Sequence, residues 1–218
     1  MSQESLSLSH ASPRIGGLLL AAGLGRRFDP QGKRHKLLEP LPDGQSLVRV
    51  SARALLPWVD SLTVVAGTHN AGIVRDLADL PVRIVVCAQS HQGPGASLRF
   101  GLSSATDASA RALGPFDAWM IALADMPFIA HDTYALMRQR ALETLESSGE
   151  MVWRPMYEGR PGHPVVVTQG LVNKFLSLDS DPARGLAGLW RGQSGLLGEQ
   201  PVNDVGCVRD VDRLEDLR

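Results

Sequence analysis

Four apolar runs, Ile15–Ala22, Ser61–Ala66, Val82–Ala88 and Asp117–Ala124, are nearly continuous in Leu, Ile, Val and Ala. A strand with one wet face alternates apolar and polar residues, whereas an unbroken run expects cover on both faces. The segments between and after them have helical spacing. Leu47, Val50, Ala54 and Leu55 mark the first, and Ile73, Val74 and Leu77 the second. Leu98, Leu102 and Ala105 mark the third, and Tyr134, Met137, Ala141 and Leu145 the fourth. Strand–helix–strand alternation implies right-handed crossovers. The fold class predicted is therefore α/β, a three-layer sandwich whose mostly parallel, Rossmann-like sheet carries helices on both faces.

Beyond Gly149 the rhythm changes. A strand over Met151–Tyr157, a loop over Glu158–Gly162 and a short strand over Pro164–Thr168 are expected. Two small helices follow, Leu171–Leu176 and Pro182–Trp190, then a strand near Glu199–Val202 and a terminal helix from Asp212. At 218 residues without an internal repeat or a Gly/Ser linker, one domain over residues 14–218 is expected, preceded by a flexible Ser-rich tail over residues 1–13.

Lys plus Arg is 22 and Asp plus Glu is 23, a formal net charge of −1. Such a chain has no bulk field for gripping nucleic acid or an anionic membrane, so any phosphate chemistry must be local. No apolar run reaches the roughly 18 residues of a spanning helix. Two cysteines, Cys87 and Cys207, are too few for a disulfide framework or a Cys-based zinc site, and suit a reducing cytoplasm.

The chemistry concentrates after the first run, in Leu20-Ala21-Ala22-Gly23-Leu24-Gly25-Arg26-Arg27-Phe28, followed by Lys36-Leu37-Leu38. Glycines let a backbone approach a ligand closely and turn successive N–H groups into one concavity. Arginines and a lysine can then neutralise phosphate oxygens. The loop lacks the third glycine of the dinucleotide fingerprint, and Gly32-Lys33 is followed by Arg34, so it is no Walker loop either. A nucleotidyltransferase loop and a plain structural turn with solvated arginines remain. Asp125, at the end of the fourth run, is either a ligand-site carboxylate at a strand end or a turn cap. Gly93-Pro94-Gly95-Ala96-Ser97 opens a helix that either faces a nucleotide or is simply a helix start.

These segments resemble, in order, the motif blocks of the nucleotidyltransferases that build molybdenum cofactor dinucleotides. The first is Leu20-Ala21-Ala22-Gly23-x-Gly25-x-Arg27-Phe28 with Lys36. The others are Gly95-Ala96-Ser97-Leu98, Leu123-Ala124-Asp125-Met126-Pro127, Arg160-Pro161-Gly162-His163-Pro164-Val165 and Asp210-Val211-Asp212. Within that family Ala-Ala-Gly and the Ala-Ser-Leu block are more similar to the cytidylyltransferase for molybdopterin than to its guanylyl relative. The resemblance implies a nucleotide-diphospho-sugar transferase type of sandwich. It also implies an enzyme that joins CMP from CTP to a molybdopterin-type phosphomonoester and releases pyrophosphate, with onward transfer to a molybdoenzyme apoprotein as a further implication.

Residue by residue, it assigns catalysis to Arg27, Lys36 and Asp125, and nucleotide binding to Leu20, Ala21, Ala22, Gly23, Gly25, Arg27, Lys36, Gly95 and Ser97. Arg160 and His163 fall to the acceptor, and Asp125 with Asp212 to magnesium, Asp210 being the less favoured neighbour. The family continues its last block with Thr-Pro where this chain has Arg213-Leu214, so Asp212 also reads as a helix cap completed by Glu215. Lys33 rivals Lys36 because the intervening loop is several residues longer than the usual spacing. Other readings of the same fold are a guanylyltransferase, an NTP transferase for another phosphorylated acceptor, and a cofactor-binding chaperone without chemistry.

Overall fold

The computed structural model describes residues 12–23, 25, 27–29, 34–106, 115–178, 185–190 and 195–217. Most of the predicted tail, Lys33 and the start of the expected helix at Pro182 lie outside these residues.

The four apolar runs form the strands β1 (Ile15–Ala21), β2 (Ser61–Gly67), β3 (Val82–Cys87) and β4 (Ala118–Leu123). They pair in parallel in the order β3-β2-β1-β4, with Leu18 opposite Thr63 on one side and Ile121 on the other. Four helices accompany them: α1 (Leu47–Leu55), α2 (Ala71–Asp76), α3 (Pro94–Thr106) and α4 (His131–Glu146).

The remainder of the sheet is mixed. It comprises β5 (Val152–Tyr157), β6 (Arg160–Pro161), β7 (Val165–Thr168) and β8 (Leu197–Pro201). Strand β7 runs antiparallel between β4 and β5, and β8 runs parallel along the other edge of β5. The segment expected as a loop after Tyr157 is a tight hairpin, because Glu158 and Gly159 take positive φ and return Arg160 against Tyr157. Two short helices, α5 (Gln169–Ser177) and α6 (Ala187–Trp190), follow β7. The terminal helix expected from Asp212 is only a 3-10 turn over Leu214–Leu217.

Side-chain alternation along the central strands feeds two cores. Leu19, Ala21, Val64, Met120 and Ala122 pack against α1, α2 and α4. Leu18, Val65, Trp119 and Ile121 pack against α3 and α5 on the opposite face. This is a mixed, mostly parallel sheet flanked by helices. The apolar stripe of α1 is Leu47, Val48, Ala52 and Leu55, so the expected Val50 and Ala54 are only half-buried. Val74 is likewise 41% exposed, because α2 turns only Ile73 inward. No helix among the described residues is long and apolar enough to cross a membrane.

Helix α3 crosses the sheet at Gly101. A β-carbon there would lie 2.5 Å from Val65 Cγ2 and 2.9 Å from Leu18 Cδ1, both fully buried. Propensity alone favours alanine at a helix interior by about 1 kcal/mol. Overpacking of about 1–3 kcal/mol is the larger effect. Gly101→Ala is therefore expected to lower unfolding free energy, read as a reduced denaturant midpoint; an increase would show that propensity wins.

Candidate active site

Strand β2 leaves β1 on one side and β4 joins it on the other, so the order of the sheet reverses between β1 and β4. Ligand crevices of open α/β sheets form at such a switch point, beyond the carboxyl ends of the strands. A cavity of about 580 Å³ lies there. The end of β1 contributes Leu20, Ala22 and Gly23, and the end of β4 contributes Leu123 and Asp125. The start of α3 contributes Gly93, Pro94 and Ser97, and Arg27, Lys36, Ser90 and His91 complete the polar lining. A β-carbon on Gly23 would meet nothing within 4 Å, so the backbone there opens directly onto the cavity.

Lysine 36 reaches the mouth of this cavity by a chain of fixed contacts. Asn70 donates from Nδ2 to the carbonyl of Ala21 (2.8 Å), and its Oδ1 is bonded to His35 Nε2 (2.7 Å). Since the Asn70 oxygen can only accept, that ring nitrogen carries the proton. The 3-10 turn Lys36–Leu38 then buries Leu37. Gly25, at φ +59°, brings its backbone so close that a β-carbon would lie 2.9 Å from the Lys36 Cβ.

Asp125 is fixed through its backbone neighbours. Ala124 donates to the carbonyl of Leu20 (3.0 Å) and accepts from the buried Ser51 hydroxyl of α1 (3.0 Å). The Asp125 carbonyl accepts from the Val211 amide (2.8 Å). Val211 is fully buried with Phe28 and Leu47, while Asp210 and Asp212 on either side of it stay out of the core.

Asp210, Asp212 and Asp125 thereby converge, each with one oxygen within 4.8 Å of the others. At that distance two unit charges near a protein surface repel by about 3–4 kcal/mol. Two cations offset this repulsion. The Lys36 ammonium donates to Asp125 Oδ2 (2.8 Å) and Asp212 Oδ1 (3.1 Å), while Arg27 donates to Asp212 Oδ2 (2.6 Å). Burial separates the two cations: the lysine side chain is 9% exposed and the arginine side chain 83%.

A second set of contacts stitches the acid-bearing segment to the end of β4. One oxygen of Asp204 accepts from the Ala130 amide (2.9 Å) and the Thr133 hydroxyl (2.6 Å) at the start of α4, and the other from the Gly206 amide (2.9 Å). Arg209 lies over the Phe128 ring at 4.5 Å. The His163 amide donates to the Cys207 carbonyl (2.8 Å).

Of the residues singled out in the sequence, the structure brings together Arg27, Lys36, Asp125 and Asp212, with Leu20, Ala22, Gly23 and Ser97 on the cavity wall. Ala21 points into the core instead, and Gly95 is buried inside α3 with Gly93 at the lining position. Gly25 acts on Lys36 rather than on the cavity. Arg160 is exposed on the β5–β6 hairpin, bonded to the Val208 carbonyl at 3.2 Å.

The capping reading of Asp212 does not hold. Asp216, not Glu215, accepts from the amides of Asp212 and Arg213 (2.9 and 2.7 Å), which leaves the Asp212 carboxylate to the cations. The sequence reading missed Ser90 and His91, whose only signal is their place just after a parallel strand. It also missed Asp204, whose signal is an Asx turn before Gly206.

A family model, the MobA-like NTP transferase domain, matches residues 17–196. The chain belongs to this family. Comparison with curated proteins finds no significant match. Among solved structures, a nucleotidyl transferase from Methanothermobacter thermautotroptrophicus is similar at 20% identity and TM-score 0.74, over 93% of this chain and 94% of that one. Rv0371c of Mycobacterium tuberculosis H37Rv is similar at 23% identity and TM-score 0.72, over 95% and 96%. It has also been solved as a complex with manganese. The molybdopterin-guanine dinucleotide biosynthesis protein A of Archaeoglobus fulgidus is similar at 14% identity and TM-score 0.63, over 93% and 94%. For this MobA-like transferase, converging carboxylate oxygens are the donor set that a hard divalent cation takes.

Burial pushes the imidazole of His163 below its ordinary value, against smaller opposing effects of the Ile121 carbonyl and the Asp125 charge. The unfolded chain therefore takes up this proton first as pH falls, and stability is lost from about pH 6.5 down through the lower folded value. Unfolding free energy between pH 7 and 5 is expected to fall less steeply in His163→Gln than in the native protein. A second expectation concerns Gly206, where a β-carbon would overlap the carbonyl oxygen of Phe128, which is backbone and cannot step aside. Gly206→Ala should cost about 2 kcal/mol or more and weaken Mn2+ binding, measured by titration.

Proposed function

We propose that this MobA-like NTP transferase is a magnesium-dependent cytidylyltransferase that joins CMP from CTP to a molybdopterin-type phosphomonoester. The observation that carries the reading is the juxtaposition of two cations and three carboxylates at the mouth of a glycine-walled cavity, at the switch point of the sheet. The reading of cytidine as the base rests on the Ala21-Ala22-Gly23 and Ala96-Ser97-Leu98 blocks. Onward transfer to a molybdoenzyme apoprotein would follow.

In the reaction an oxygen of the acceptor's terminal phosphate attacks the α-phosphorus of CTP. A new P–O bond forms as the bond from the α-phosphorus to its bridging oxygen breaks, and pyrophosphate carries off that electron pair. Attacker and leaving group are both anionic, so the barrier is one of charge and alignment, and no protein nucleophile is required. Backbone at Ala22 and Gly23 lets the triphosphate approach. Arg27 and Lys36 bind its oxygens and take up charge as pyrophosphate departs. Ser97 and Leu20, both lining the cavity, orient the nucleoside. His163, neutral at pH 7, and Arg160, exposed on its hairpin, lie on the acceptor side. Asp125 and Asp212, with Asp210 beside them, would hold magnesium, which supplies charge neutralisation across the phosphates when bound.

The test is pyrophosphate release from CTP, GTP, ATP and UTP, each with molybdopterin-type cofactor. Release with CTP is expected. Release with GTP alone would instead make the protein a guanylyltransferase, and no release with any nucleotide would remove the catalytic reading. Asp125→Asn should lower the rate about a hundredfold or more. A cofactor-handling protein without chemistry would show no such dependence in its cofactor binding.

A further inference from the structure

Lysine 36 occupies an unusual position for a residue assigned to a triphosphate. Its ammonium lies within hydrogen-bond distance of one oxygen from each of two carboxylates, Asp125 Oδ2 at 2.8 Å and Asp212 Oδ1 at 3.1 Å. Asp125 and Asp212, were they to hold a divalent cation, would do so with carboxylate oxygens that the ammonium already engages. Ion and ammonium cannot share that space, and their like charges add repulsion to the overlap. Nor is the lysine free to lean aside as a whole. Its Cβ lies so near Gly25 that a β-carbon there would stand 2.9 Å away, its main chain is held in the Lys36–Leu38 turn, and the side chain is 9% exposed. Only the outer methylenes and the ammonium can move, and the cavity that Lys36 lines is where they can go.

We infer that Lys36 is the resident counter-ion of the carboxylate cluster, and that a divalent cation enters only by expelling its ammonium into the cavity. The inference rests on the nucleotidyltransferase reading for what the expelled ammonium meets there, namely the oxygens of a triphosphate. Without a nucleotide, the expelled charge gains no partner to replace two carboxylates, so metal binding alone works against the lysine. With a triphosphate present, the same charge is accepted, and the two ligands favour one another. The exchange thus makes divalent ion and nucleotide arrive as a coupled pair. Arg27 differs: among the described residues it pairs with Asp212 alone, from the other oxygen, and at 83% exposure it leaves without obstruction.

Two measurements on the full chain test this, with Mn2+ as the probe. In the native protein, acylation of Lys36 by an amine reagent is followed by mass spectrometry, with the exposed Lys174, 61% accessible and paired with Glu150, as internal control. Saturating Mn2+ alone is expected to raise Lys36 labelling about fivefold or more while Lys174 is unchanged, a coupling of the ordinary allosteric size. Unchanged Lys36 labelling at saturation, or no Mn2+ binding by either the native chain or Lys36→Met, overturns the inference.

In the second measurement, paramagnetic titration should find Mn2+ bound about tenfold or more tightly by Lys36→Met than by the native chain. Arg27→Gln should shift it by less than about threefold, within the same coupling scale. Equal or weaker binding by Lys36→Met overturns the inference, and the labelling arm does not depend on that variant folding. Addition of CTP should protect Lys36 again. Exposure by Mn2+ without protection by CTP or any other triphosphate would support the exchange while removing the nucleotidyltransferase reading on which its consequence rests.

Discussion

Three carboxylates drawn within 4.8 Å of one another repel, and the contacts around them hold them there against that repulsion. Their mutual repulsion is opposed in two ways. One is covalently remote but short in space: the Val211 amide on the Asp125 carbonyl, with the Val211 side chain sealed beneath Phe28 and beside Leu47. The other is electrostatic, the sharing of Lys36 between Asp125 and Asp212 with Arg27 on the outer oxygen. Packing sets where the acids stand, and the cations make standing there tolerable.

The sheet supplies the frame in which that balance has a use. Because β4 joins β1 on the side opposite β2, the sheet order reverses there, and the cavity lies beyond the carboxyl ends of these two paired strands. Each wall is tied to a different face of the sheet. Ser51 of α1 reaches the end of β4 from one core, and α3 lays Ser97 against the cavity from the other. The antiparallel strand β7 then lets the chain double back. Its neighbour β5 positions β8, from which the 204–212 segment returns across the mouth.

The parallel half was legible because its strands are buried on both faces, which leaves an unbroken apolar run that needs no tertiary information to read. Strand ends were legible to within a residue or two for the same reason. The hairpin at Tyr157–Arg160 was not, since it depends on positive φ at Glu158 as well as Gly159, and glutamate gives no such warning. In the site, Arg27, Lys36, Asp125 and Asp212 were legible as residue types in ordered blocks, but the contacts among them were not. Lys36 and Asp212 stand 176 positions apart, and nothing local in either segment encodes a shared ion pair. Ser90 and His91 escaped notice because a cavity wall built after a strand needs no motif. The Asp216 bonds that replaced the expected Glu215 capping box differ by a single residue in a turn too short to have helical periodicity.

The stretch from Asp204 to Asp212 follows all the described strands of the sheet in chain order and closes against the end of β4. A chain emerging from the ribosome through β4 has its glycine wall, its lysine and one acid. The other two acids, and the hydrogen bonds that lock them in place, come from a segment made after those strands. Until then Lys36 has a single carboxylate to hold and the two cations outnumber the one acid; the fold-back reverses the sign of the cleft, setting three carboxylates against two cations.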